Sequence, residues 1–222
     1  MYIPQYYRIT DPKIVADFLQ QNNFAVLISC ENGMPVATHL PLEFVHAENE
    51  QFLHGHVARA NPQWRSFNSS EMVLAVFSGA HSYVSARWYN HLNVPTWNYM
   101  AVHVYGRPRI IEDSDELYAM LKRLVDKHEA ATNPQNPYTM EGLPEEFLKK
   151  EMKGLVGFQI KVEKIEAKFK LSQNRKAEDF ANVIAELRKS QHAEAQEVAE
   201  AMVQIQSKDS LTSSDHPQTR SN

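Results

Sequence analysis

The chain has 222 residues, 43% hydrophobic, 10% aromatic and 23% charged. These ordinary globular values exclude a generally disordered chain and a fibrous repeat. With 23 basic and 27 acidic residues the formal charge is −4, so bulk electrostatic attraction to nucleic acid or anionic lipid is not supported, which leaves room only for a local basic patch. A single cysteine, Cys30, rules out an internal disulfide framework and a multi-cysteine zinc site. It stands in an apolar run, where a buried, inert thiol is expected. No cationic start leads into an apolar stretch and no apolar run has bilayer length, so a soluble, cytoplasmic protein is expected.

Asp11-Pro12 reads as cap and first helical residue, because proline has no N–H to lose there. Ile14, Val15, Phe18 and Leu19 share one face of that helix, which ends near Asn22 or Asn23. Phe24 to Cys30 is strand-like, and Asn32-Gly33 suits the positive φ angles of a tight hairpin. From Met34 to Val45, Val36, Thr38, Leu40, Leu42 and Phe44 fall on one side, while Pro35 and Pro41 argue for an edge or bulged strand. Phe52 to Val57 is a third strand, with His54 and His56 opposite Leu53, Gly55 and Val57.

Asn61-Pro62 opens a short helix carrying Trp64 and Phe67, and Met72 to Ser78 is a buried-type strand. Gly79 to Val94 reads as loop or partly extended chain, and Thr96 to Ile111 as a long strand interrupted by Gly106 and Pro108. Asp113, Ser114 and Glu116 mark a capped helix start, with Leu117, Leu121, Leu124 and Val125 as its buried stripe. Pro144 starts a short helix to about Lys153, and Leu155 to Leu171 is strand-like. Ala177 to about Gln206 is helical with a break near Ser190, and Ser207 to Asn222 is expected to be disordered. No crossover helix fits between Phe24 and Val57, so an antiparallel barrel is favoured over a doubly wound sheet. The scattered glycines make neither a G-x-G-x-x-G nor a Walker-type loop.

The segment Leu53 to Trp64 combines a strand end, a small-residue bend, Arg59 and a helix start at Asn61. Such an arrangement can hold a phosphate, by N–H groups at the helix start and a two-pronged guanidinium contact. It reads equally as a surface charge beside an ordinary cap. His54-x-His56 lacks a fixed third ligand, so no metal site is assigned. Trp97 and Tyr99 share a face opposite Thr96 and Asn98, which suits a flat ring ligand or, as readily, a core or subunit interface. Lys170 to Lys176 places Gln173, Asn174 and Arg175 between a strand and a helix, as an anion loop or as a plain helix-starting loop. The basic residues from Lys161 to Lys176 read as a solvated face. No Ser–His–Asp, Cys–His or paired-carboxylate arrangement is recognisable, so no catalytic residue is named.

Four segments in order resemble the PaiB family of bacterial negative transcriptional regulators. They are Met1-Tyr2-Ile3-Pro4, His56-Val57-Ala58-Arg59-Ala60-Asn61-Pro62, Val94-Pro95-Thr96-Trp97-Asn98-Tyr99 and Lys168 through Arg175. The resemblance implies an antiparallel split barrel related to the pyridoxamine-phosphate-oxidase-like flavoproteins, a homodimer, and FMN in a cleft between subunits. With the reading along the chain, the expected bounds are 1–175 for the FMN-binding-like domain, 176–206 for a helical extension and 207–222 for a tail, the residues after Gln191 matching nothing in the family. On this basis His56, Val57, Ala58, Arg59 and Asn61 are expected near the phosphate, and Trp97, Asn98 and Tyr99 in the cleft. Gln173, Asn174 and Arg175 are carried over as motif matches without a role. The expected function is a flavin-sensing regulator. An FMN-dependent oxidoreductase of the same superfamily is the alternative, because a flavin needs few catalytic side chains. A haem-handling role is a weaker third. No helix-turn-helix signature or arginine stripe supports direct DNA binding.

Overall fold

Residues 1–47, 50–67 and 72–212 are described in the computed structural model. Among the described residues there are eight strands: β1 (Arg8–Ile9), β2 (Phe24–Glu31), β3 (Met34–Pro41), β4 (Glu43–Ala47), β5 (Glu50–Ala58), β6 (Val73–Val84), β7 (Thr96–Ile111) and β8 (Leu155–Lys170). They join in the order β3-β2-β6-β7-β8-β5-β4, with β1 on β8. The pairs β2–β3, β2–β6, β4–β5, β5–β8 and β1–β8 are antiparallel. Five α-helices among the described residues accompany them: α1 (Pro12–Gln21), α2 (Ser114–Thr132), α3 (Glu145–Lys153), α4 (Ala177–Arg188) and α5 (Ala193–Thr212). No described helix is long and apolar enough to cross a membrane.

The chain divides into two compact units. The larger comprises Pro12–Phe77 and Val102–Glu166, the smaller Met1–Asp11, Ser78–Ala101 and Ala167–Asn222. In the larger unit α1 buries Val15, Phe18 and Leu19, the stripe its spacing predicts. Asn32 (φ 51°) and Gly33 (φ 80°) turn the β2–β3 hairpin through the left-handed region, as Asn-Gly favours. β3 carries both prolines and ends the sheet order, where missing N–H groups cost no ladder bond. Leu42 separates β3 from β4 and is fully buried, so the expected single strand is two. Leu27, Leu53, Phe67, Phe77 and Phe158 fill the core. The side chain of Asp113 caps α2 by accepting from the N–H groups of Asp115 (2.9 Å) and Glu116 (2.8 Å). Leu117, Met120 and Leu121 of α2 pack with Ile111 and Met140, while Val125 is only partly buried.

In the smaller unit α4 packs on α5. α4 buries Phe180, Val183, Ile184 and Leu187, and α5 buries Ala195, Val198, Ala199 and Met202. The expected break lies at Ser190, whose hydroxyl accepts from His192 N–H (3.2 Å) and whose carbonyl accepts from Gln196 Nε2 (2.8 Å). α5 continues to Thr212, into the stretch expected to be a tail; residues 213–222 lie outside the described residues.

Three further expectations are corrected. Gly79 to Val84 belongs to β6 rather than to a loop: Ala80 and Val84 are buried, although the inward parity shifts by one residue after Val73, Ala75 and Phe77, which hides the strand from a period-2 reading. Gly106 and Pro108 do not interrupt β7. Cys30 is exposed, not buried, since β2 alternates Ala25, Leu27 and Ser29 inward and so turns Cys30 outward.

Candidate functional site

β5 delivers the bend that the sequence singles out. His56 pairs with Gly157, Val57 with Val156 and Ala58 with Leu155 across β5–β8. Val57 is buried, whereas Ala58 and Arg59 are exposed. The chain then turns: Asn61 N–H donates to the Ala58 carbonyl (2.9 Å). Asn61 Oδ1 accepts from Gln63 N–H (3.0 Å), and its Nδ2 donates to Thr38 Oγ1 (2.9 Å). Asn61 therefore caps the short 3₁₀ turn Pro62–Ser66 and ties it to β3.

Arg59 holds the junction of α3 and β8. Its N–H donates to the Gly154 carbonyl (2.8 Å), its Nε to Lys153 (2.7 Å) and its Nη2 to Leu155 (2.9 Å). Its own carbonyl accepts from Trp64 Nε1 (3.0 Å). Nη1 is left without a partner among the described residues. Arg59 and Trp64 line a cavity of about 620 Å³ together with Ile111, Leu117, Met152 and Leu155, and with Lys149, Lys153 and Glu112 at its polar edge. Lys149 is committed to Glu145 (2.5 Å), whereas Lys153 has no side-chain partner among the described residues. An apolar floor with a few converging charges is the usual make-up of a small-molecule pocket, and this volume lies inside the common range. The sequence reading missed Lys149 and Lys153. Their signal was present, because two lysines four apart share one face of a helix.

Three histidines of the larger unit share one electrostatic condition. Burial holds His56 and His103 below the ordinary imidazole value, and their Nδ1 atoms lack hydrogen-bond partners among the described residues. His54 is lowered by burial first and then by Arg123, whose Nη2 donates to His54 Nδ1 (2.9 Å). A base with a depressed folded value binds fewer protons folded than unfolded. Stability is then full above the unfolded imidazole value and falls as pH drops through and below it. The thermal midpoint is expected to decline between about pH 7 and pH 5, and His56→Gln to flatten that decline; an unchanged pH slope in the variant contradicts this.

The remaining expected residues stand in the smaller unit and split into different roles. Asn98 is fully buried. Its Oδ1 accepts from Ser172 Oγ (3.0 Å) and its Nδ2 donates to Met202 Sδ (3.5 Å). Gln173 is also turned to the protein: Oε1 accepts from Leu171 N–H (2.7 Å) and Nε2 donates to the Phe169 carbonyl (2.6 Å). Trp97 is 53% exposed. It lies beside Tyr83 and His81, ring centroids 6.0 Å away in each case, in a groove shared with His192 and Glu194. Tyr99 is half-buried under the Lys168 ammonium, 5.2 Å from its ring centroid. Asn174 is exposed, and the Arg175 guanidinium lies 4.9 Å from the Tyr89 ring centroid. The structure thus does not gather the expected residues into one cluster within either unit. Lys168, expected on a solvated face, is only 8% exposed.

Comparison with known proteins supplies the kinship. The family described as "Putative FMN-binding domain" matches residues 1–164. The chain is 44% identical over 202 residues to the Bacillus subtilis "Protease synthase and sporulation protein PAI 2", covering 91% of this chain and 96% of that one. Among solved structures it resembles the FAD and heme binding protein from Mycobacterium smegmatis, with 17% identity, TM-score 0.55, and 79% of each chain covered. The flavocytochrome Anf3 from Azotobacter vinelandii is similar at 17% identity and TM-score 0.53, with 81% of this chain and 78% of that chain covered. At such identities the structural likenesses speak for the fold, the antiparallel split barrel. Kinship along most of its length and a shared fold together establish that the chain belongs to the PaiB family of FMN-binding split-barrel proteins.

Proposed function

We propose that the chain is a PaiB-like negative regulator that binds FMN in the cavity at Arg59 and uses flavin occupancy as its input. The observation that carries the regulatory half is the 44% identity to a Bacillus subtilis protein named for protease synthesis and sporulation. The residues at Arg59 fit the cofactor. Arg59 Nη1 and the Lys153 ammonium have donors to spare for a phosphate, and Trp64, Met152 and Leu155 offer apolar surface to a flat ring. Bound FMN supplies a redox-active, yellow chromophore. The chain's own part is to fix the phosphate by charge and to keep water from the ring. A ligand shifts such a protein only by the difference in its affinity for two conformations. We take the working form to be a cytoplasmic homodimer, in line with the family expectation.

Titration of the purified chain with FMN, read by flavin fluorescence, tests the binding half. Saturable binding is expected. Arg59→Ala is expected to weaken FMN by about tenfold or more, the loss of one charge-assisted contact, and to leave riboflavin, which lacks the phosphate, nearly unchanged. Equal losses for both flavins mean that Arg59 only braces α3 against β8. No saturation with FMN removes the flavin reading. A gel-shift assay on the DNA upstream of the chain's own gene, with and without FMN, tests whether regulation is direct: an FMN-sensitive specific complex shows that it is, and no specific complex at low salt ends the direct version and leaves regulation through a metabolite or partner. Rapid anaerobic reduction of bound flavin by NADH or NADPH is the result that would move the assignment to the oxidoreductase alternative.

A further inference from the structure

We propose that Lys168, Lys170 and Arg175 form, beside Tyr89 in the smaller unit, a binding site for a small anion that presents a carboxylate or phosphate group. The inference goes beyond the flavin reading and does not rest on it.

Three cations fall within eight residues, and the chain holds them in place. Ser172 takes a left-handed conformation (φ 65°), rare for a residue with a side chain. The turn is braced by the Ser172–Asn98 bond and by both polar atoms of Gln173, so the ends carrying Lys170 and Arg175 are fixed. Gln173 and Asn98 thereby acquire a role that their motif match did not specify: they position the cations.

The cations are not neutralised. No carboxylate lies within ion-pair distance of Lys168, Lys170 or Arg175 among the described residues; the nearby Asp179 is committed to Asn90 N–H (2.9 Å) and His91 Nδ1 (3.3 Å). Lys168 is buried, with the Tyr2 carbonyl (3.2 Å) as acceptor and the Tyr2 and Tyr99 rings beside it. Lys170 reaches the Trp97 carbonyl (2.6 Å) and Thr96 Oγ1. The Arg175 side chain has no hydrogen-bond acceptor among the described residues, so its donors are unused while its Cζ stands over the Tyr89 ring, 4.9 Å from the centroid.

Two further observations point to a missing partner. Tyr89 is 7% exposed and its hydroxyl is buried without a hydrogen bond among the described residues, a state that costs free energy unless a ligand satisfies it. The Lys170 ammonium is pulled below its ordinary value, first by burial and then by the charges of Lys168 and Arg175, so the cations are close enough to repel one another. Carbonyls and aromatic faces only partly offset one buried and two half-buried like charges. A carboxylate or phosphate satisfies the guanidinium fork and relieves the repulsion at once. A hollow lined by Gln173, Arg175, Ala177, Phe180, Ile205 and Gln206 gives such a group an approach to the Arg175 end of the cluster.

Calorimetric titration of the full chain with inorganic phosphate and, separately, with citrate tests the proposal. Binding of at least one is expected below about 10 mM, with a rise in melting temperature. The tighter of the two identifies the ligand as phosphate-like or carboxylate-like. Arg175→Gln is expected to weaken that anion by about tenfold or more and to leave FMN affinity unchanged. Absence of binding of either anion to the unaltered chain overturns the proposal. So does an Arg175→Gln chain that binds the anion as tightly as the original, or one that loses FMN while retaining the anion. Should Arg175→Gln fail to fold, Lys170→Gln is judged by the same outcomes. Failure of FMN to bind the unaltered chain bears on the flavin reading alone.

Discussion

Phe158→Ala is expected to lower stability by about 3–5 kcal/mol, the usual range for removing a buried aromatic ring. Phe158 is fully buried on β8 and packs edge-on against Phe67, ring centroids 4.9 Å apart at 64°. Its cross-strand partner is Gly55, where an added Cβ would stand 2.9 Å from Phe158 Cζ, so the ring occupies the space of the missing side chain. The β5–β8 ladder is too rigid to collapse into the void, and the cavity term adds to the lost burial. For a chain of this size the thermal midpoint should fall by roughly 10 °C. Phe158→Leu, which keeps most of the volume, should lose less than half of that. A drop below about 1 kcal/mol would mean that the site relaxes freely and that the ladder is softer than its pairing implies. Val156 and Gly157, next along β8, line the cavity proposed for FMN, so on that proposal FMN affinity should fall with this variant even at temperatures where it remains folded.

Gly106→Ala comes next in expected size. A Cβ at this position would lie 2.2 Å from the Lys161 carbonyl oxygen and 2.7 Å from Ile160 Cγ2. The first neighbour is backbone of the adjacent strand, which cannot rotate aside as a flexible side chain would. The β7–β8 pair has to part locally, at a cost of about 1–3 kcal/mol or somewhat more. Gly142→Ala, with nothing within 4 Å of its new Cβ, serves as the neutral control. Equal melting temperatures for the two variants would show that β7 and β8 separate without penalty. Ile110 and Ile111, further along β7, also line the cavity proposed for FMN, so on that proposal the same substitution should loosen flavin binding.

These expectations bear on one another through β8. The strand supplies the partner of β5, the floor of the Arg59 cavity and, at its far end, the first two cations of the proposed anion site. The two proposed sites, one for a flavin and one for a small anion, would give the chain two inputs. Their coupling, if present, is reciprocal: the anion changes FMN affinity by the factor by which FMN changes the anion's. Titrating FMN at saturating phosphate or citrate measures it directly.

What the sequence determined by itself was local or collinear. The hairpin at Asn32-Gly33, the start of α1 at Pro12, the Asp113 cap, the His54/His56 alternation and the break at Ser190 each follow from neighbours a few residues apart. The four ordered motifs that carry the family resemblance are likewise a property of the linear chain. Tertiary structure alone decided which of those residues meet. Arg59 bonds carbonyls 94 and 96 residues away, and Lys149 and Lys153 join it from a helix that no short-range pattern connects to it. Asn98 and Gln173, polar residues in apparent ligand motifs, prove to be spent on the protein's own backbone and side chains, while Lys168 is buried among tyrosines. The physical reason is one of range. Periods of 2 and 3.6 residues set which way a side chain faces, whereas the partner it finds there depends on strand order and register, which only the folded chain specifies.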